Sequence, residues 1–172
     1  MLNQKILPIL IFDRDGTLIV DTGYIKNAKD VKLIPSMPEL IATLRKLPLR
    51  IGVVSNQSGV GRGYISFEEA KAVHDAFVLE YLKYEVFFDF IEYCFHDPSD
   101  RCACRKPETG LVRNSKNDFV RESKRIFMVG DKESDRDFAM RLEAEFFLID
   151  PRQSGHSFKN LELEILRWWS NG

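Results

Sequence analysis

Five short apolar runs, rich in β-branched and aromatic residues, alternate with segments of helical period along most of this chain. They cover residues 6–12, 49–55, 88–94, 125–130 and 145–149. Each is too short for a helix of its own and is bounded by turn residues or by a helical pattern. Strands that alternate with helices cannot pair as hairpins, so the fold class expected is α/β: a doubly wound, mostly parallel, Rossmann-like sheet. A chain of 172 residues can bury one such core, and one domain spanning 1–172 is expected. The helical signals fit that plan. Ser36 and Glu39 have capping-box spacing ahead of Leu40, Ile41, Leu44 and Leu47. Ser66 and Glu69 repeat it ahead of Ala70, Val73, Phe77, Val78 and Tyr81. Further helices are expected after Pro107, after Asp131 and over residues 158–169.

Composition narrows the function classes. Twenty-five basic against 26 acidic residues give a net charge of −1, so there is no basic excess to attract nucleic acid. The first apolar run is too short to cross a membrane, lacks a small-residue cleavage site and ends in Asp13-Arg14-Asp15. It reads as a buried strand, which implies no membrane partner and a cytoplasmic location. The segment between the first strand and first helix is brief, leaving no room for a cap domain there.

In an open parallel sheet the carboxyl ends of the strands converge on one edge, where ligands bind. Asp13, Ser55 and Asp131 each follow a predicted strand and would face one pocket. Asp13-Arg14-Asp15-Gly16-Thr17 places two carboxylates two residues apart before a glycine, able to aim at one metal and one phosphorus. An Asp-Gly pair alone would mark only a turn. Ser55-Asn56-Gln57-Ser58-Gly59 offers hydroxyl and backbone N–H groups to phosphate oxygens. Arg105 and Lys106 add cations, and Asp131 and Asp135 add oxygen ligands of the kind Mg²⁺ takes.

In this order, and at these strand ends, the four pieces resemble the haloacid dehalogenase-like phosphohydrolase superfamily over about residues 11–149. The resemblance implies a phosphomonoester hydrolase in which Asp13 attacks phosphorus and carries an aspartyl-phosphate. Asp15 would be the general acid and base, and Ser55 and Lys106 would bind the phosphoryl oxygens. Mg²⁺ would be held by Asp13, the backbone carbonyl of Asp15, and Asp131. Asp135 would brace the site, and Arg14 is expected to point away from it.

All three cysteines fall within eleven positions: Cys94, then Cys102 and Cys104, with His96 among them. Three thiols are an odd number and a poor basis for disulfides, whereas Cys₃His is a closed set for structural Zn²⁺. Such a loop, residues 94–104, would deliver Arg105 and Lys106 to the phosphate. His74 and His156 are expected to be ordinary surface residues.

A zinc loop of this kind resembles the branch that holds the heptose-bisphosphate and histidinol-phosphate phosphatases. Asp21-Thr22-Gly23-Tyr24, the Ser58-to-Tyr64 segment and Gly130-Asp131-Lys132 resemble the heptose-bisphosphate members. The resemblance implies a small phosphorylated sugar as the ligand and the 7-phosphate of a heptose 1,7-bisphosphate as the group removed, on the way to nucleotide-activated heptose for lipopolysaccharide or capsule. Asp21, Thr22, Gly23, Tyr24, Asn56, Gln57 and Ser58 would line the pocket. Arg62, Arg105 and Lys132 would meet the second phosphate, and the protein would act as a monomer. Histidinol phosphate is the alternative substrate; a polynucleotide end or an inactive zinc-stapled scaffold is more distant.

Overall fold

The structure, a computed structural model, describes residues 6–150 and 156–171. Among these residues five strands form one sheet in the order β3-β2-β1-β4-β5, all neighbours parallel. They are β1 (Ile9–Phe12), β2 (Arg50–Asn56), β3 (Phe90–Cys94), β4 (Ile126–Gly130) and β5 (Glu145–Leu148). The helices are α1 (Met37–Leu44), α2 (Ser58–Gly61), α3 (Phe67–Leu82), α4 (Gly110–Arg113), α5 (Asp118–Glu122), α6 (Glu133–Arg141) and α7 (His156–Ser170). The mostly parallel sheet expected from the alternation is thus wholly parallel among the described residues.

The period of two in β1 divides the core. Leu10 and Phe12 face α1, α3 and α7 with Ile41, Phe77 and Ile165, while Ile9 and Ile11 face α4, α5 and α6 with Val112, Val120 and Phe138. Every residue of β1 is therefore buried, as a central parallel strand requires.

Several boundaries depart from the sequence pattern for local reasons. The first strand begins at Ile9 rather than residue 6, because Pro8 has no N–H for the ladder; its carbonyl still accepts from Arg50 N at 2.9 Å. The expected capping box at Ser36 does not form. A turn closed by Met37 N on Ile34 O at 3.2 Å holds Ser36 left-handed, at φ 67°, with no side-chain cap bond. The same spacing succeeds at Ser66, whose hydroxyl accepts from Glu69 N at 3.1 Å while Ser66 N donates to Glu69 Oε2 at 2.7 Å. The helix expected after Pro107 is two short ones, broken where buried Ser115 turns its hydroxyl to Glu92 Oε1 at 3.1 Å.

The order of strands puts the switch of direction at β1 and β4, so the loops after Phe12 and Gly130 meet at the carboxyl edge. Gly16 makes the meeting possible. Its φ of +84° closes the turn, and a Cβ there would lie 2.2 Å from Asp131 Oδ2.

Candidate active site

The acids that follow β1 and β4 converge. Asp13, Asp131 and Asp135 each offer a carboxylate oxygen, and these atoms all lie within 4.8 Å of one another. Asp13 and Asp135 are 4% and 1% exposed. Such a cluster of negative charge needs cations; Lys132 stands 4.0 Å from Asp131, and Lys106 is buried between the other two acids. Its ammonium meets Asp13 Oδ1 at 2.6 Å, Asp135 Oδ1 at 2.7 Å and Val54 O at 2.7 Å, which uses all three of its hydrogens. Burial pulls the Lys106 pKa down, yet the two carboxylates prevail and hold it above its ordinary value. Asp135 spends its second oxygen on Lys132 N at 3.1 Å.

Asp131 is different. Burial, with Asp13 and Asp135 nearby, pushes its pKa up to about 6 against the pull of Lys132, and its Oδ1 is buried with no hydrogen-bond partner. An orphaned oxygen on a reluctant carboxylate, facing two others, is a donor set that fits a cation. Oxygen donors of this kind suit a hard divalent ion.

Two cavities open from these groups. A cleft of about 310 Å³ is lined by Asp15, Asp21, Gly23, Tyr24, Asn56, Gln57, Ser58, Arg105 and Lys132, among others. A niche of about 40 Å³ shares Asp15, Asn56, Lys132 and Ser134 with it and adds Asp13, Ser55, Lys106 and Asp135. Ser134 was not singled out in the sequence; its position in the first turn of α6 was the available signal.

Within this lining the residues differ in what they are free to do. Asn56 exchanges two bonds with the backbone of Lys106, Nδ2 to O at 3.0 Å and N to Oδ1 at 2.9 Å, so its amide fixes the lysine rather than reading a ligand. Gln57 is similarly engaged, donating to Asp15 Oδ2 at 2.5 Å and to Ser55 Oγ at 3.0 Å. Lys132 reaches across the cleft to Asp21 Oδ2 at 3.0 Å. Burial works against that ammonium, but Asp21 and Asp131 hold its pKa above the ordinary range. Arg105 lines the cleft with Nη1 buried and without a hydrogen-bond partner.

Four expectations need correction. Arg62 does not line the cleft with Arg105 and Lys132, because α2 docks on the loop after β3 through Gly61 N to Phe95 O at 2.9 Å, and Arg62 Nε pairs with Asp97 Oδ2 at 3.1 Å. Thr22 lies in a separate shallow groove with Tyr24 and Lys26. Arg14 does not point away: it is 4% exposed and bonded to Asp15. His74 is half-buried rather than on the surface, its Nδ1 3.0 Å from Tyr93 Oη. His156 opens α7, but its side chain lies outside the described residues.

The second cluster is the cysteine loop. Cys94 Sγ lies 3.6 Å from Cys102 Sγ and 3.4 Å from Cys104 Sγ, and His96 Nδ1 is 3.6 Å from Cys94 Sγ and 3.2 Å from Cys104 Sγ. All three cysteines are free, and the four side chains could hold one metal ion. Burial pushes the Cys94 thiol up to about 12. At Cys102 burial is outweighed by hydrogen bonds from the Cys104 and Arg105 backbone, which bring it to about 7.

A parallel α/β sheet that places a buried lysine among three carboxylates at its β1/β4 switch defines a phosphatase of the haloacid dehalogenase-like class. The sequence matches the polynucleotide kinase 3 phosphatase family over residues 8–152. A Thermoplasma volcanium protein named as probable D-glycero-D-manno-heptose-1,7-bisphosphate 7-phosphatase is 38% identical over 142 residues, covering 81% of this chain and 97% of that protein. The Helicobacter pylori (strain J99) D-glycero-beta-D-manno-heptose-1,7-bisphosphate 7-phosphatase is 32% identical over 167 residues, covering 92% and 95%. The crystal structure of D,D-heptose 1,7-bisphosphate phosphatase from B. bronchiseptica, complexed with magnesium and phosphate, superposes with a TM-score of 0.80 at 23% identity, over 94% of this chain and 99% of that one. The chain belongs to the polynucleotide kinase 3 phosphatase family, alongside relatives that are heptose-bisphosphate phosphatases. It is a phosphomonoester hydrolase. No helix among the described residues is long and apolar enough to cross a membrane.

Proposed function

We propose that this phosphatase removes the 7-phosphate of a D-glycero-D-manno-heptose 1,7-bisphosphate, through an aspartyl-phosphate on Asp13. The observation that carries the chemistry is the buried Lys106 between Asp13 and Asp135. It holds one Asp13 oxygen and leaves the other to approach phosphorus in the niche. In the first step an Asp13 oxygen bonds to phosphorus while the ester bond breaks. Asp15, at the junction of niche and cleft, gives the departing alkoxide its proton. In the second step Asp15 takes a proton from water, the water oxygen bonds to phosphorus, and the Asp13 carboxylate is released. Ser55 and Lys106 bind the phosphoryl oxygens, Lys106 by exchanging its bond to Asp13 for one of them, and Asn56 keeps Lys106 in place. Asp13, the Asp15 backbone carbonyl and Asp131 would hold Mg²⁺, which when bound neutralises the negative charge shared by nucleophile and phosphate. Asp135, with both oxygens engaged, braces Lys106.

The substrate reading rests on the cleft's cations and on the relatives. A phosphate at the far end of the ligand needs a counter-charge, and Arg105 has a buried N–H without a partner. Lys132 would exchange Asp21 for that phosphate, freeing Asp21 to accept a sugar hydroxyl. Histidinol phosphate, which carries an ammonium and an imidazole, gains nothing from two cations. The cleft lining and the near-neutral net charge suit a small ligand, no nucleic acid and no membrane. One chain holds the whole site, in keeping with a monomer and with one domain.

The test is a screen of heptose 1,7-bisphosphate, the heptose monophosphate, histidinol phosphate, fructose bisphosphate and phosphorylated oligonucleotide ends. The heptose bisphosphate should be the best of them. Arg105→Ala should lower its turnover about ten- to a hundredfold, the worth of a charge-assisted hydrogen bond, and leave an aryl monophosphate nearly unchanged. A wild-type preference for histidinol phosphate, or an equal Arg105→Ala loss on both esters, would overturn the substrate and keep the chemistry.

For the cysteine loop we propose structural Zn²⁺. Zn–S and Zn–N bonds near 2.3 and 2.0 Å give tetrahedral edges of about 3.5–3.8 Å, close to the spacings between these four ligand atoms. An ion there would let all three thiols ionise at once, which their mutual contact otherwise resists. The free thiols also suit the cytoplasm. About one Zn²⁺ per chain should copurify, and Cys102→Ser should lower activity about 10- to 100-fold by loosening the loop that ends at Arg105 and Lys106. Full activity in zinc-free protein would remove the ion from this account.

A further inference from the structure

One buried cation has no part in the chemistry above. Asp13 and Asp15 both line the niche, and between them the backbone bends at Arg14, whose side chain lies buried beside the Asp15 carboxylate. There Arg14 meets the ends of two other strands. Its Nε and Nη2 donate to Asp15 Oδ1 at 3.2 and 3.0 Å, and Nη2 also reaches Asp15 Oδ2 at 3.0 Å and Gln57 Oε1 at 2.7 Å. The guanidinium carbon stands 5.4 Å from the centroid of the Tyr93 ring in β3, and the Tyr93 hydroxyl lies 3.0 Å from His74 Nδ1 in α3. Gln57 Nε2 completes the ring of contacts on Asp15 Oδ2 at 2.5 Å.

A brace between strand ends does not require a charge, since an apolar side chain of similar volume often serves as well in a buried position. What a guanidinium adds is a fixed fork that sets the plane and direction of one carboxylate. The carboxylate so held lines both the niche and the cleft. With the transferring phosphate in the niche and the sugar in the cleft, the breaking P–O bond lies at that junction. A proton-transfer group there must be held in one orientation, because a misplacement of an ångström can cost about 10²-fold.

We infer that Arg14 is the positioning residue for Asp15: seated on Tyr93 and closed by Gln57, it holds the carboxylate at the junction of niche and cleft and keeps it off the metal-binding acids. Arg14 stays charged and transfers nothing. The inference rests on the acid–base reading of Asp15.

The experiment compares Arg14→Met, Asp15→Asn and the double variant in single turnovers of 4-nitrophenyl phosphate, whose leaving group needs no proton, and of the best alkyl phosphate from the screen. Arg14→Met should lower the alkyl-phosphate rate about 10- to 100-fold with little change in KM, and the nitrophenyl rate by less than about threefold. In the Asp15→Asn background Arg14→Met should cost nothing further, because the group it positions is gone. Equal losses on both esters, or losses that multiply in the double variant, would overturn the inference. If Asp15→Asn itself failed to distinguish the esters, the acid–base reading would fall and this inference with it. If Asp15→Asn distinguished them and Arg14→Met did not, only the inference would fall. Should Arg14→Met not fold, Tyr93→Leu removes the ring on which the guanidinium is seated. Its expected loss is about three- to tenfold on the alkyl ester alone, and an unselective loss would overturn the inference equally.

Discussion

Asp13→Asn should abolish turnover while leaving the protein folded. The amide does not attack phosphorus, and removing a covalent nucleophile lowers rates on the order of 10⁴-fold or more. The fold should tolerate the change. Lys106 loses the charge on Asp13 but keeps Asp135 at 2.7 Å and the Val54 carbonyl at 2.7 Å, and one member of a crowded acid cluster becomes neutral. The melting temperature should therefore move by no more than a change of about 1 kcal/mol implies. Acid-quenched wild type incubated with substrate should retain a phosphoryl group on Asp13, and the variant should retain none. Mg²⁺-dependent turnover comparable to wild type in Asp13→Asn would assign the nucleophile elsewhere.

The reasons some of this was legible in the sequence, and some not, are physical. Asp13, Asp15, Ser55 and Asp131 could be read because strand ends in a parallel sheet converge wherever the strands lie in sequence, so finding the strands located the acids. The cysteine loop was legible because its three thiols and one imidazole are close along the chain and their chemistry is unusual. Arg14 was misread because its partners come from three places, Asp15 beside it, Gln57 after β2 and Tyr93 in β3. Nothing in the pattern around residue 14 announces that the sheet leaves a buried slot beneath it. Arg62 was misread for the opposite reason. Its segment matched a motif, but the docking of α2 on the loop after β3 directs the side chain to Asp97. The two Ser-x-x-Glu signatures make the same point on a smaller scale. Identical spacing caps α3 and not α1, because the turn before Ser36 fixes a backbone angle that the spacing does not encode.

Lys106→Met should be the most damaging substitution for stability as well as for rate. The ammonium is 2% exposed in its side chain and is the partner of two carboxylates and a carbonyl. Methionine fills much of the space and satisfies none of the three. Removing one partner from a buried ionic group typically costs about 3–5 kcal/mol, because the charges left behind have lost their compensation. The loss should depend on pH in a stated direction. Burial and Asp13 already push the Asp135 carboxyl up against the pull of Lys106. Without the lysine its folded pKa rises further above the unfolded value, so the folded state binds more protons than the unfolded one. Stability of the variant relative to wild type is then greatest at low pH and falls as pH rises from the wild-type Asp135 pKa, itself above the ordinary carboxylate value, to the further raised pKa of the variant. Thermal unfolding of wild type and variant at pH 5 and pH 8, without divalent ions, measures the difference. Mg²⁺ at pH 8 should recover part of it by returning positive charge to the same carboxylates. The rate on any ester should fall by at least about 10²–10³-fold, the cost of losing one preorganised donor to the transferring phosphoryl group. A destabilisation that is the same at both pH values, and indifferent to Mg²⁺, would mean that Lys106 acts through packing rather than as the counter-charge of the acid cluster.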